Sequence, residues 1–256
     1  MRFHTFGNPA NPVILLIHGV LTPWQIWEKQ ISYFQGRYYI IVPALDAHVE
    51  EESSEYLSLE EETQKIEQYL LSIQIDHTFA ICGLSLGGAI ANRIFERHNI
   101  YSENLILDGA PLYPINKSLT EFLSGKYIDL IIRSKKRDPE TLDNIKRDFV
   151  PGQYLNHYLK FIDTMTERSI QNLIKSAYNS KISETEINND SGTRILFLHG
   201  THGNEFLAQK AASLMKQFYP QTVIQPKEGY KHAQFALFSP DLWINCVNEF
   251  LCQSII

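Results

Sequence analysis

Several short stretches of the chain are apolar at nearly every position. The clearest is Val13–Ile17, in which all five side chains are apolar. This pattern is typical of a strand that is covered on both faces in a parallel sheet, rather than of a strand with one face in water. We predict further strands at residues 38–42, 79–82, 104–108, 194–198 and 223–225.

Segments with helical character separate most of these strands. We predict helices over residues 24–34, 59–73, 89–97, 205–218 and 240–252. The second of them begins directly after Ser58, which has the spacing of a capping box with Glu61. Strands that alternate with helices indicate an α/β protein with a mostly parallel central sheet and helices on both of its faces.

The alternation stops between residues 113 and 191. This stretch predicts several helices, with breaks at 138–139 and 150–152 and two further capping boxes, at 118–121 and 164–167. It is far longer than an ordinary connection between two strands of a sheet, so we predict an inserted helical lid. Its larger apolar side chains are expected to pack the lid helices together, with some of them facing a largely apolar site: Phe122, Tyr127, Ile131, Phe149, Tyr154, Tyr158 and Phe161.

Composition narrows the class of protein. The chain has 256 residues, 23 Lys and Arg against 29 Asp and Glu, and a net charge of −6. We therefore expect one α/β domain with an insertion and no nucleic-acid partner, since no basic stripe is present. No apolar run is long enough to span a bilayer, and three cysteines without metal-ligand spacing suit reduced thiols, so we expect a cytoplasmic protein without membrane insertion.

One ten-residue stretch, 79–88, carries the candidate chemistry. An apolar strand ends at Gly83, a sharp turn follows with Ser85 at its tip, and a helix begins directly afterwards. A side chain two positions before or after the serine would collide with so tight a turn, and Gly83 and Gly87 remove that obstacle. The pattern places the Ser85 hydroxyl above the end of the strand, facing the amides at the start of the helix. Taken alone, the pattern also fits an ordinary glycine-rich turn.

This stretch resembles the nucleophile turn of the α/β-hydrolase family, in which the serine is followed along the chain by an acid and then by a histidine. The resemblance implies an α/β-hydrolase fold with a core of residues 1–112 and 192–256 and a helical lid of residues 113–191. It also implies an oxyanion hole formed by the backbone amides of Val20 and Leu86, because His18 and Gly19 follow the strand Val13–Ile17 as they do in the family. A simple turn at this histidine-glycine pair is the alternative.

The resemblance places the catalytic base at His232, in the loop between the last strand and the terminal helix. The resemblance leaves two candidates for the acid, because the position that the family uses, three residues after Gly200, is Gly203. Glu205 is the nearest carboxylate and our first choice; Asp108, at the end of the strand after the serine helix, is the second. His48, in a loop that departs from the family's pattern, is expected to be a surface histidine.

These residues predict a serine hydrolase of the carboxylesterase class that forms an acyl-enzyme. The expected substrate is a small or medium carboxylic ester, with a thioester and carbon–carbon bond hydrolysis as alternatives. We expect no cofactor, and no metal at His199 and His202, which lack a third ligand at suitable spacing. Two other functions stay open: a ligand-binding or signalling protein on the same fold, and a degenerate hydrolase with a structural role.

Overall fold

A single mixed sheet organises the chain. The computed structural model describes residues 1–183, 192–203 and 205–253. The sheet has seven strands in the order β1-β3-β2-β4-β5-β6-β7, and β1 is antiparallel to β3 while the other neighbours are parallel. The strands are β1 (Arg2–Phe6), β2 (Val13–Ile17), β3 (Tyr39–Ala44), β4 (His77–Leu84), β5 (Tyr101–Asp108), β6 (Arg194–Gly200) and β7 (Val223–Lys227).

Burial explains which strands the sequence reveals. Every residue of β2 is buried, and β4 and β5 end in runs of five buried residues, so the apolar pattern predicts these central strands correctly. Strand β1 was not predicted. It lies at the edge of the sheet with Arg2 and Thr5 exposed, and it is held by its antiparallel register with β3, Arg2 opposite Ala44. An edge strand needs only one covered face, which leaves no continuous apolar run.

Helices connect most of the parallel strands of the sheet. Outside the long segment between β5 and β6, they are α1 (Glu28–Phe34), α2 (Leu59–Ser72), α3 (Leu86–Arg97), α8 (Phe206–Phe218), α9 (Gln234–Phe238) and α10 (Pro240–Cys252). The predicted start of α2 is confirmed, because the Ser58 side chain accepts a hydrogen bond from the Glu61 amide at 3.1 Å. The helix α9 was not predicted, and it is too short to show a helical period.

Between β5 and β6, the described residues form four α-helices. They are α4 (Lys117–Lys135), α5 (Pro139–Asp148), α6 (Leu155–Ile162) and α7 (Glu167–Asn179). We call residues 113–183 the helical insertion; the C-terminal part of the predicted lid, 184–191, lies outside the described residues. Both predicted breaks fall between helices, since α5 begins at Pro139 with Asp138 capping the Thr141 amide at 2.9 Å.

Two predicted capping boxes in the insertion are wrong. Helix α4 is capped by Asn116, whose side chain accepts from the Leu119 amide at 2.9 Å, so Ser118 lies inside the helix. Helix α7 is capped by Thr166, which accepts from the Ser169 amide at 3.1 Å, and Thr164 precedes the helix. In both cases the Ser/Thr-x-x-Glu spacing is present, but the residue with extended backbone directly before the first turn is two positions away.

Candidate active site

Ser85 stands alone between a strand and a helix. Strand β4 ends at Leu84, α3 begins at Leu86, and the one residue between them has φ 52° and ψ −116°. A Cβ on Gly83 would lie 2.2 Å from the Gly87 carbonyl oxygen, and a Cβ on Gly87 would lie 2.2 Å from the oxygen of Ile17. Both positions therefore exclude any side chain, which is the physical reason for the two glycines around the serine.

His232 reaches Ser85 from the loop after β7. Its Nε2 lies 2.8 Å from the Ser85 Oγ. The two residues are 147 positions apart along the chain, and the sheet brings them together because β4 and β7 end at the same edge. At this distance an imidazole nitrogen can accept the hydroxyl proton directly.

The first-choice acid lies on the other side of the imidazole. Glu205, which is 1% exposed, places Oε1 2.7 Å from His232 Nδ1 and accepts a hydrogen bond from the Gly200 amide on Oε2 at 2.9 Å. Asp108 instead accepts a hydrogen bond from the indole Nε1 of Trp243 at 3.0 Å. The structure therefore brings Glu205 into line with His232 and Ser85, and it joins Asp108 to the terminal helix.

The charges in this cluster influence each other. Desolvation lowers the pKa of His232, but the hydrogen bond that it donates to Glu205 and the charges of Glu205 and Asp108 outweigh this effect, so the pKa lies above its usual value. Burial raises the pKa of Asp108 to about 7, and the nearby Glu205 charge acts in the same direction. An imidazole hydrogen-bonded to a carboxylate is well suited to stabilise the imidazolium that forms when it accepts a proton.

Two backbone amides near Ser85 lack a hydrogen-bond partner among the described residues. Around Val20, the Gly19 amide donates to Thr22 Oγ1 at 3.0 Å and the Leu21 amide donates to His48 Nε2 at 3.1 Å. Neither the Val20 amide nor the Leu86 amide has a hydrogen-bond acceptor within the residues that the structure describes. These are the two amides that the resemblance predicts for an oxyanion hole, and both flank Ser85 with their donors free.

His48 is buried, so its prediction as a surface histidine is wrong. Its Nε2 accepts from the Leu21 amide, which assigns the ring proton to Nδ1, 3.1 Å from the Asp46 carbonyl oxygen. His18, before Val20, makes the equivalent contact with the other loop: its Nε2 accepts a hydrogen bond from the Leu45 amide at 3.1 Å. Burial lowers the pKa of His48 to about 4 and that of His18 well below its usual value. Two neutral histidines thus join the loop that carries Val20 to the loop after β3.

A cavity of about 360 Å³ opens beside Ser85 and His232. Its walls come from the sheet edge, from α8 and from the helical insertion. Of the aromatic residues predicted in the insertion, Tyr127 and Phe149 line the cavity, Tyr158 and Phe161 are buried, and Phe122 is 59% exposed. The apolar part of the lining includes Val20, Leu84, Phe149, Ile174, Leu207 and Leu237.

Within the described ranges, no group of three or more His, Cys, Asp or Glu side chains is placed to hold a metal ion. His199 Nδ1 lies 2.7 Å from the Gly200 carbonyl oxygen. No helix in the described part of the chain has the length and apolar character needed to cross a bilayer.

The fold is shared with solved structures over nearly the whole chain. A protein of the α/β-hydrolase family from Desulfitobacterium hafniense is 22% identical, with a TM-score of 0.77 and coverage of 98% of this chain and 100% of that one. A structure reported in work on carboxylesterases of Nitrososphaera gargenis is 13% identical, with a TM-score of 0.75 and coverage of 98% of this chain and 93% of that one. An enol-lactonase from Burkholderia xenovorans is 15% identical, with a TM-score of 0.72 and coverage of 98% and 96%.

The sheet order, the single antiparallel edge strand and these similarities define the class: the chain has the α/β-hydrolase fold. The prediction of that fold from the serine turn is confirmed. A scan against protein-family models and a search of curated proteins found no match. Sequence identities of 22% and below show a common fold and leave the activity to be argued from the site.

Proposed function

We propose that the protein is a serine hydrolase that cleaves a small or medium carboxylic ester. The observation that carries the proposal is the continuous hydrogen-bonded series from Glu205 through His232 to Ser85, with contacts of 2.7 and 2.8 Å. A serine hydroxyl is a weak nucleophile, and this series supplies a base and a group that orients the base. Ser85, His232 and Glu205 are the proposed triad, with Asp108 outside it.

In the proposed mechanism, Ser85 Oγ attacks the ester carbonyl while His232 Nε2 takes the hydroxyl proton. Glu205 holds the Nδ1 proton toward itself, so that Nε2 is the nitrogen free to accept. The imidazolium then gives its proton to the leaving alcohol and an acyl-enzyme forms. Water attacks the acyl-enzyme in the second half of the reaction, with His232 again acting as base.

The tetrahedral intermediate carries a negative oxygen, and the free amides of Val20 and Leu86 are its proposed donors. Losing one such donor typically costs about 3–4 kcal/mol of transition-state stabilisation. A substitution does not remove a backbone amide, so the strength of this donor depends on how the loop positions it. The contact between the Leu21 amide and His48 holds the loop that presents Val20.

The cavity supports the proposed substrate size. A volume of about 360 Å³ with a mostly apolar lining accommodates a hydrocarbon or aryl group of moderate length beside Ser85. A thioester carbonyl is attacked by the same machinery, and both substrate types belong in a first screen. We propose that the helical insertion acts as a lid, since Tyr127 of α4, Phe149 directly after α5 and Ile174 of α7 line the cavity that contains Ser85. The free cysteines Cys82, Cys246 and Cys252 support a cytoplasmic location.

A fluorophosphonate probe tests the proposal directly. Activated Ser85 attacks phosphorus, fluoride leaves and the serine becomes covalently labelled. We expect rapid labelling of the native protein, none of Ser85→Ala and strongly slowed labelling of His232→Ala. Ser72→Ala, whose hydroxyl is exposed and bonds the Tyr69 carbonyl, is the matched control and should label normally. Absence of labelling in a native protein with an unchanged melting profile would refute the hydrolase and favour a binding protein.

A further inference from the structure

The loop that carries Val20 packs directly against the proposed nucleophile. A Cβ on Gly19 would lie 3.2 Å from the Ser85 Cβ, and Gly19, Val20 and Ser85 line the same cavity. The Val20 N–H belongs to the peptide group whose carbonyl is that of Gly19. In a trans peptide group the carbonyl and the N–H point in opposite directions, so whatever holds the Gly19 oxygen also aims the Val20 N–H.

Two side chains hold the Gly19 carbonyl oxygen. The Thr22 hydroxyl donates a hydrogen bond to it at 3.0 Å, and His18 Nδ1 lies 2.9 Å from it. Because His18 Nε2 accepts from the Leu45 amide at 3.1 Å, the ring proton is on Nδ1, and this nitrogen is the donor to Gly19. The buried His18 ring therefore links the loop after β3 to the peptide group that carries the Val20 N–H.

His48 holds the peptide group on the other side of Val20. The Leu21 amide donates to His48 Nε2 at 3.1 Å, and Leu21 has φ 58°, a left-handed conformation that a leucine rarely adopts. Such a backbone conformation persists only where its surroundings fix it. The centroid of the His48 ring lies 4.8 Å from that of His18 and 5.0 Å from that of Phe161 in α6, so His48 is packed between the Val20 loop and the helical insertion.

Both histidines are in the protonation state that these contacts need. Burial lowers the pKa of His48 to about 4 and that of His18 well below its usual value, so each neutral ring has one donor and one acceptor. The donors and acceptors that the two rings contact are backbone groups of the two loops. The rings are therefore placed to orient peptide groups.

We infer that His18 and His48 are positioning residues for the oxyanion hole: together they fix the two peptide groups that flank Val20, so that its N–H is aimed before the substrate binds. The inference rests on the proposed hydrolase function. Preorganisation gives an oxyanion donor its value, because the donor then needs no reorientation as charge develops. The ground-state carbonyl gains less from it, so a loss of aim should appear in kcat and leave KM nearly unchanged.

Paired substitutions test this role. His18→Asn keeps a side-chain N–H donor close to the backbone, and His48→Gln keeps an acceptor oxygen at the end of the side chain, whereas His18→Leu and His48→Met are apolar. With 4-nitrophenyl butyrate, we expect kcat to fall by about 10- to 100-fold in the two apolar variants, with KM within about twofold of the native value. In the two polar variants, kcat should stay within about fivefold of native.

Inhibition by trifluoromethyl butyl ketone gives a readout that partial unfolding does not change. Ser85 Oγ bonds to the ketone carbon, the carbonyl oxygen becomes the oxyanion, and the hydroxyl proton passes to His232. The inhibition constant is a property of the folded molecules, so a loss of active protein leaves it unchanged. A misaimed Val20 amide raises it, and we expect a rise of about tenfold or more in His18→Leu and in His48→Met.

Thr222→Val is the matched control. Thr222 is fully buried and donates to the Tyr219 carbonyl at 2.7 Å, just before β7 begins, whereas His232 follows the other end of that strand. Losing this hydrogen bond should lower the melting temperature and leave kcat and the inhibition constant at their native values. Native values of both in His18→Leu or His48→Met would overturn the inference for that residue, as would equal losses in its polar and apolar variants.

A measurement on the native protein needs no variant. Ring nitrogen NMR shifts of His18 and His48, assigned through the backbone, should show a protonated Nδ1 and an unprotonated Nε2 from about pH 6 to 8. The opposite tautomer in either ring would overturn the inference. Lack of turnover by the native protein contradicts the hydrolase instead, because the tautomers do not depend on activity.

Discussion

Replacing Glu205 by glutamine changes one atom of the side chain and should reverse the proton arrangement of the imidazole. Glu205 Oε2 accepts from the Gly200 amide at 2.9 Å, so the carboxamide oxygen of the variant must stay there to avoid facing one donor with another. The amide NH₂ then points at His232 Nδ1, where the native carboxylate lies 2.7 Å away. The imidazole proton moves to Nε2, which can no longer accept the proton of Ser85.

A wrong tautomer with otherwise intact geometry lowers turnover by about 10⁴-fold in serine enzymes of this type. At about 1.36 kcal/mol for each factor of ten, we expect Glu205→Gln to lose about 5 kcal/mol of transition-state stabilisation. Asp108→Asn is the matched change. Asparagine can still accept from Trp243 Nε1, which bonds Asp108 at 3.0 Å, so we expect a loss of less than about tenfold.

The assay is kcat/KM for 4-nitrophenyl butyrate, measured for both variants near pH 8, with thermal melts to establish that each variant is folded. If Glu205→Gln stays within about tenfold of the native protein while Asp108→Asn falls by orders of magnitude, the acid is Asp108 and the assignment argued from the hydrogen bonds is wrong.

Two further predictions concern the base and the turn. His232 must be neutral to accept a proton, and its contact with Glu205 raises its pKa. We therefore expect kcat/KM to rise with pH to a plateau, with the midpoint of the rise above the ordinary histidine pKa of about 6.5. A midpoint below that value would contradict the electrostatic argument. Gly87→Ala should lower the free energy of unfolding in urea by more than about 2 kcal/mol, because its Cβ would lie 2.2 Å from the Ile17 oxygen. Gly36→Ala, with nothing within 4 Å, is the control, and equal stability of the two variants would rule out the steric explanation.

The strands and helices that the sequence predicts are those with a strong local signal. The run Val13–Ile17 is buried on both faces, and its composition alone indicates this. The edge strand Arg2–Phe6 carries no such signal, because its pairing with Tyr39–Ala44 comes from the backbone. The cap of α4 is Asn116 and not the predicted Ser118 for a related reason. Several residue types can cap a helix, and packing decides where the helix begins.

In the candidate site, the turn that carries Ser85 could be predicted from the sequence. Two glycines around a serine, between an apolar strand and a helix, are typical of one backbone turn. The role of His48 could not be predicted in this way. A histidine in a polar loop usually faces water, and only the folded path of two loops shows that its ring accepts from the Leu21 amide. The signal that could have indicated it is its place after β3, whose carboxyl end lies at the active edge.

What the sequence determines by itself is whatever depends on neighbours along the chain: the apolar strands, the helix that follows Ser85 and the turn between them. Which carboxylate meets His232 depends on the path of the loop after β6, where Glu205 stands two residues beyond the position expected for the acid. Asp108 and Glu205 both lie near the carboxyl ends of strands, so their chain positions do not separate them. Only tertiary structure does, because a hydrogen bond of 2.7 Å joins atoms of two residues that lie 27 positions apart along the chain.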